Sequence, residues 1–280
     1  MTPICELIGP DRSQVLPLLE GAPPNYLDVV ARAVIAGNSP GHVWVDDPTA
    51  PTSAFIIDKG SCYYLAGAAN NGTFNAALTR MIKEELAPQA RAAASHGFKL
   101  YYSSPLWEDK ITQIFSSAEL RRRERSMFEI YPARVEAAAM DQRLPSGAGV
   151  RRIDASLLSR ADLANMDRLL DEIHTTWASS ADFVAKGFGY CVLLESSVAC
   201  WCTGEYPVDG RIGIGIETVE EYRQRGYARA AATAFVLHSA ANGATAIWDA
   251  WSSNIPSIVL AERLGFQRVA DYNAFVGLFL

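Results

Sequence analysis

Residues 212–242 hold the stretch that most narrows the folds open to this chain. Ile212, Ile214, Ile216 and Thr218 alternate with small or polar residues, the period-two pattern of a strand. From Ala228 onward, Ala231, Phe235 and His238, with Ala232, Val236 and Ser239, recur at three and four, the pattern of a helix packed along one face. Between the two lies Glu220-Glu221-Tyr222-Arg223-Gln224-Arg225-Gly226-Tyr227, a turn with two arginines and one glycine. The first amides of a helix have no partner inside it and carry the positive end of its dipole, so such a turn is suited to an anion. Strand, anion-binding turn and helix in this order imply an α/β fold. Two other phosphate motifs are absent: no G-x-x-x-x-G-K-[ST] occurs, and Gly213-x-Gly215 lacks the third glycine of a dinucleotide fingerprint. Those two glycines are expected to mark a bulge or a close backbone approach within the strand.

The spacing Arg223-x-x-Gly226-x-Ala228 resembles Q/R-x-x-G-x-G/A, the pyrophosphate-binding motif of the GCN5-related N-acetyltransferases (GNAT). Downstream, Ala246-Ile247-Trp248-Asp249-Ala250-Trp251 reads as a strand. It is followed by Asn254-x-x-Ser257-x-x-Leu260-Ala261-Glu262-Arg263-Leu264-Gly265-Phe266, which is similar to the family's second signature, N-x-x-A-x-x-L-Y-E-K-L-G-F. The resemblance covers roughly residues 150–280. Its wording, with Ile216-Glu217-Thr218 ahead of the turn and Ala261 where the usual tyrosine stands, is most similar to the branch that includes zwittermicin-resistance proteins. The resemblance implies the GNAT fold, a mixed and mostly antiparallel sheet flanked by helices. It also implies acetyl-CoA as cosubstrate, with the acetyl group passing by direct attack on the thioester to a primary amine of a small molecule, an amino-containing antibiotic in that branch. Carried over onto this chain, Arg223, Gln224, Arg225, Gly226, Tyr227 and Ala228 would hold the pyrophosphate. The backbone of Glu217, Thr218 and Val219 would run along the pantetheine arm and thioester and offer N–H groups to the oxyanion. Asn254 would bond the pantetheine arm, and Ser257 belongs to the same cofactor set.

Amide formation also needs a neutral amine, and an ammonium of pKa near 10.4 is mostly protonated at neutral pH, so a base is useful. Glu217 is the first candidate, with Glu205 and Asp249 on neighbouring strands as alternatives. Against Glu217 stands the alternation of side chains along a strand, which can turn Thr218 inward and Glu217 to solvent. The proton for the departing thiolate cannot be assigned to the tyrosine of the signature, because Ala261 occupies that position. Tyr272 is expected to supply it, with Ser257, Ser253 or solvent as alternatives. Trp248 and Trp251 flank Asp249 and could form a wall for a cation, although strand aromatics are more often core. Two other functions compete: a non-catalytic acyl-CoA sensor, favoured by the missing tyrosine, and a tandem-GNAT aminoacyl transferase using charged tRNA. A net charge of −6 argues against any nucleic-acid partner.

The N-terminal half repeats the order of elements in weaker form. A hairpin is expected over His42 to Val45 and Ala54 to Asp58, a strand over Ser61 to Gly67 and a long helix over Phe74 to Ala94. Strand, helix and strand follow over Phe98 to Ser103, Trp107 to Phe115 and Arg122 to Tyr131. The turn before its long helix, Ala68-Ala69-Asn70-Asn71-Gly72, has no basic residue, so this half is expected to hold no CoA and to shape the substrate cleft or a homodimer surface. The domains are placed at 1–136 and 150–280, joined by a flexible linker over 137–149 that contains Pro145-Ser146-Gly147. Ala161 to Ile173 reads as a helix, Trp177 and Phe183 as part of a connection, and Tyr190 to Leu194 with Val198 to Tyr206 as a hairpin. If Ser196-Ser197 is its turn, Cys191 and Cys202 fall opposite one another near Cys200. Without a histidine or a fourth cysteine at ligand spacing, no metal site is expected. Five cysteines do not make a disulfide framework, no basic and apolar leader opens the chain, and no apolar stretch is long enough to span a bilayer. The expected compartment is the cytoplasm.

Overall fold

The computed structural model describes residues 4–59, 62–93, 96–139, 144 and 147–280. They form two compact units, Met1–Arg125 with Ala270–Leu280, and Ser126–Val269. The first unit runs β1 (Cys5–Leu7), α1 (Tyr26–Ile35), β2 (Gly41–Val45), β3 (Ser53–Asp58), β4 (Cys62–Gly67), α2 (Gly72–Met81), α3 (Ala87–Ala92), β5 (Gly97–Tyr102), α4 (Glu108–Ile114) and the start of β6 (Ala118–Ile130). β2, β3 and β4 form an antiparallel meander, and β5 lies parallel to β4. The second unit holds the rest of β6, then β7 (Gly149–Arg152), α5 (Ala155–Leu158), α6 (Met166–Thr176), α7 (Ser180–Lys186), β8 (Gly189–Leu194), β9 (Ser197–Val208), β10 (Arg211–Thr218), α8 (Tyr227–Ala241), β11 (Thr245–Trp251), α9 (Ile255–Arg263) and the start of β12 (Gln267–Phe279). Here too an antiparallel meander, β8-β9-β10, leads through a helix to a strand parallel with its last member, β11. Each unit is thus an α/β assembly around a mixed sheet.

The boundaries differ from those expected at 136 and 150. The chain changes unit within β6, after Arg125, and again within β12, after Val269. The reason lies in strand pairing: Phe275–Leu278 of β12 pairs antiparallel with Leu100–Gly97 of β5, so the last residues complete the first unit's sheet. Residues 126–136, read from sequence as the end of the first domain, count with the second unit. Of the expected linker, 140–143, 145 and 146 lie outside the described residues, as do Ser61 and Ala94 at the ends of two predicted elements.

In the second unit the sheet is covered on both faces. Ile212 and Ile214 of β10, with Cys200 and Cys202 of β9, bury against Ala231, Ala232, Phe235 and Val236 of α8. The run of alanines lets this helix lie close to the sheet, and each buried side chain adds dispersion contacts that water cannot match. The other face holds a separate core of Leu169 and Ile173 of α6, Phe183 of α7, Cys191 and Trp201. α6 begins five residues later than expected because Asn165 adopts a left-handed φ of 64°, and Ala164 instead forms a parallel bridge to Ser197 at the strand edge. Phe183 sits on the short helix α7, N-capped by Ser179, where only a connection was expected.

The hairpin register corrects the expectation for the cysteines. Its turn is Glu195-Ser196, and an irregularity between Val192 and Leu193 leaves Cys191 opposite Trp201 and Tyr190 opposite Cys202. A shift of one residue moves a side chain to the other face of a sheet. Cys191 therefore belongs to the α6 core, while Cys200 and Cys202 belong to the α8 core.

Candidate active site

β10 and β11 are paired over only three residues, Arg211 with Thr245, Ile212 with Ala246 and Gly213 with Ile247. From Ile214 to Thr218 no described residue of β11 is paired with β10, although β10 keeps its register with β9 to Thr218. The strands therefore part, and the edge of β10 that would face β11 is left open. An open strand edge is a row of amide and carbonyl groups ready to bond an extended partner. In the first unit the equivalent strands stay together. β4 and β5 pair from Cys62 with Lys99 to Leu65 with Tyr102, and Ser103 N–H still donates to Leu65 O at 2.9 Å.

The parted strands lead to the turn before α8. Gly226 caps the helix with φ 79° and ψ 3°, a left-handed conformation suited to glycine, and nothing lies within 4 Å of where its Cβ would stand. Gln224 is also left-handed, at φ 61°. Ala230 is the first amide seen to bond back, to Gly226 O at 3.1 Å, so the amides of Tyr227 and Ala228 have no partner within the helix. Arg223 and Arg225 are exposed. Arg223 Nε donates to Thr218 O at 3.3 Å and Arg225 Nη2 to Glu221 O at 3.1 Å, which ties both to the turn and leaves each further N–H donors. Tyr227 is buried and anchors the helix start in the α8 core, so its backbone, not its ring, is what the turn offers. Val219 departs from its expected role. Its N–H donates to Ala199 O at 3.0 Å and its side chain is buried, so its amide is not available to an oxyanion. Thr218 donates its Oγ1 hydrogen to Cys200 Sγ at 3.2 Å.

The α6 face of β9 and β10 carries the acidic candidates. Glu217, half-exposed, is ion-paired with Arg168 of α6, whose guanidinium lies 5.9 Å from the Trp201 ring centre. One turn along α6, Glu172 reaches the sheet beside Glu205 of β9. A Cβ added to Gly215 would come closer than 3.0 Å to carboxylate oxygens of both and to Thr203 Oγ1. Gly215 is thus the close approach expected within this strand, and two carboxylates occupy the space its side chain would need. The bulge lies on β9: a register shift opposite Arg211 to Gly213 accompanies a φ of 50° at Tyr206. Arg168 and Glu172 belong to no motif in the sequence. Their i, i+4 spacing on the polar side of an amphipathic helix was the available signal.

The second signature sits on β11 and α9. Asn254 is the exposed N-cap of α9 and accepts the Ser257 N–H at 3.4 Å. Ser257 Oγ accepts the Trp248 indole N–H at 2.9 Å, and Trp248 is core, edge-on to Phe266 at 5.5 Å. Ala261 is fully buried, so no hydroxyl stands at the signature's tyrosine position. Asp249 and Trp251 are half-buried on β11, and Ser253 is exposed beyond it. Tyr272 lies in the part of β12 that belongs to the first unit, its ring 6.3 Å from that of Tyr101.

Burial raises the thiols of Cys62, Cys191 and Cys200 to about 12 and that of Cys202 also upward, which leaves them protonated and unreactive. Titration of the native protein with an aromatic disulfide reagent at pH 8 is expected to consume no more than the half-buried Cys5 promptly, and all five thiols after denaturation. Rapid loss of more than one native thiol would contradict the burial described.

A family model for GNAT acetyltransferases matches residues 22–275, nearly the whole chain. The chain belongs to the GNAT acetyltransferase family. Over 250 residues it is 30% identical to an uncharacterized N-acetyltransferase of Bacillus subtilis (strain 168), YdfB, covering 89% of this chain and 90% of that one. The fold is shared with a GCN5-related N-acetyltransferase-like protein from Streptococcus suis 89/1591, at a TM-score of 0.70, 21% identity and coverage of 95% and 98%. It is shared as well with a tandem GNAT protein from the clavulanic acid biosynthesis pathway, at a TM-score of 0.59, 11% identity and 98% coverage of each chain. The GNAT fold expected from the motifs is therefore the fold of the chain, and a family member of this length fits two GNAT-like halves. Membership makes it an acyltransferase family protein. No helix among the described residues is long and apolar enough to cross a membrane.

Proposed function

We propose that the protein transfers the acetyl group of acetyl-CoA to a primary amine of a small molecule by direct attack on the thioester. The observation that carries the reading is the parting of β10 and β11 ahead of the α8 turn: an open strand edge for an extended arm, ending at a helix start for a diphosphate. Open space at Gly226 and unpartnered amides at Tyr227 and Ala228 fit a diphosphate held by backbone, with Gln224, Arg223 and Arg225 around it. Thr218 and the strand edge before it would lie along the pantetheine, with Asn254 and Ser257 at the start of α9.

In this reading Glu205 receives the proton of the attacking amine, and Glu172 holds the ammonium before reaction. Glu217, first choice from the sequence, is already ion-paired with Arg168 of α6, so its carboxylate is engaged before any amine arrives. The amine nitrogen bonds to the thioester carbon, the C–S bond breaks, and the thiolate leaves. A thiol ordinarily ionises near pH 8.5, about where cysteine does, so its thiolate is a tolerable leaving group and water can protonate it where Ala261 supplies no hydroxyl. That buried alanine also favours a second reading, a non-catalytic acyl-CoA sensor.

The test is thiol release from acetyl-CoA across a panel of primary amines, amino-containing antibiotics included. Release that depends on the amine is the expected result. Tight acetyl-CoA binding with no release from any amine would favour the sensor, and absence of binding would defeat both readings.

A further inference from the structure

A cavity of about 330 Å³ opens in the first unit between the start of α2 and α4, lined among others by Asn70, Asn75, Thr79, Lys110 and Gln113. It has no part in the acetyl-transfer site of the second unit. Lys110 is half-buried at its wall and forms no ion pair with any described residue, although a cation withdrawn from water normally gains one. The Gln113 and Asn70 amides make no hydrogen bond to the described residues and so offer donors and acceptors to a guest. Asn75 donates its amide hydrogen to Ala69 O at 2.9 Å, but its Oδ1 is buried with no donor. An uncompensated acceptor at a polar cavity wall is a cost that an ordered guest removes once the side chain shifts toward it.

We infer that this cavity binds a short anion bearing hydroxyl or amino groups, its charged head on Lys110 and its polar groups on Gln113, Asn70 and Asn75. Acetyl-CoA does not suit it. β4 and β5 stay paired as far as Tyr102, the end of β5, and Ser103 N–H still bonds Leu65 O, so the strands do not part there as β10 and β11 do, and the volume is at the lower end of small-molecule pockets. A carboxylate and a phosphate share the chemistry Lys110 recognises, and the test separates them.

Glycerol 3-phosphate and glycerate carry the two head groups on the same carbon chain. Calorimetry or ligand-observed NMR on the full chain is expected to find one of them bound in the millimolar range or tighter. The affinity should fall about tenfold or more in Lys110→Glu, since a charge-assisted bond is replaced by repulsion. It should fall also in Gln113→Leu, an exposed change that the fold tolerates, while saturating acetyl-CoA and Gly226→Asp leave it unchanged. Three outcomes would overturn the inference: neither probe binds, binding survives both cavity substitutions, or acetyl-CoA displaces the probe, which would put the anion at the α8 turn. None of these depends on the protein being an active transferase.

Discussion

Replacing Gly226 with aspartate is expected to weaken acetyl-CoA binding by about a hundredfold or more while leaving the fold intact. The position is left-handed, so any side chain costs roughly 1–2 kcal/mol in backbone strain, and Asp and Asn are the residues that tolerate it best. The space is open, so no steric cost is added. The new charge is what matters. Two like charges 4 Å apart at an effective dielectric near 20 repel by about 4 kcal/mol, and partial screening at this exposed turn still leaves roughly a hundredfold loss. Gly226→Ala separates the two effects, since it carries the strain without the charge. Calorimetry on the three proteins, with a melting temperature for each, decides the matter. Equal losses in Ala and Asp would assign the effect to backbone geometry, and undiminished binding in Asp would remove the turn from the site.

The parts of this protein that could be read from its sequence are those set by neighbours along the chain. β10, the turn, α8, β11 and α9 were legible because period, glycine and cap all lie within a few residues of what they determine. Features that depend on a distant partner leave no such local trace. Nothing local in β12 says that Phe275–Leu278 will pair with β5 and move the unit boundary into the strand. The one-residue irregularity at Val192/Leu193 left no trace in composition, but it sends Cys191 to the face opposite Cys202. Glu217 was visible as a carboxylate on the right strand. Its partner Arg168 lies 49 residues earlier on another element, so only the structure shows that its charge is already matched. The same holds for Gly215: the sequence pattern allows a bulge or a close approach, and only the fold shows that two carboxylates from separate elements fill the space beside it.

That crowding at Gly215 leads to the second large effect. Glu205→Gln is expected to lower kcat at neutral pH by about a hundredfold or more, the usual contribution of a positioned general base. Glutamine keeps the volume beside Gly215 and Thr203, so a loss would reflect chemistry more than packing. Without the base, turnover relies on the fraction of amine already neutral in solution. That fraction rises about tenfold per pH unit toward the amine pKa near 10.4, so the variant should recover with rising pH while the wild type levels off earlier. Glu217→Gln should behave differently. It releases Arg168 and disturbs the α6 face, and so should raise KM more than it lowers kcat, with no change in the shape of the pH profile. Full pH profiles of kcat for both variants separate the assignments. A flat deficit in Glu205→Gln would mean the carboxylate positions the amine without taking its proton. If Glu217→Gln instead shows the loss that alkali rescues, Glu217 is the base in spite of its guanidinium, and the carboxylates over Gly215 bind the substrate's charge alone.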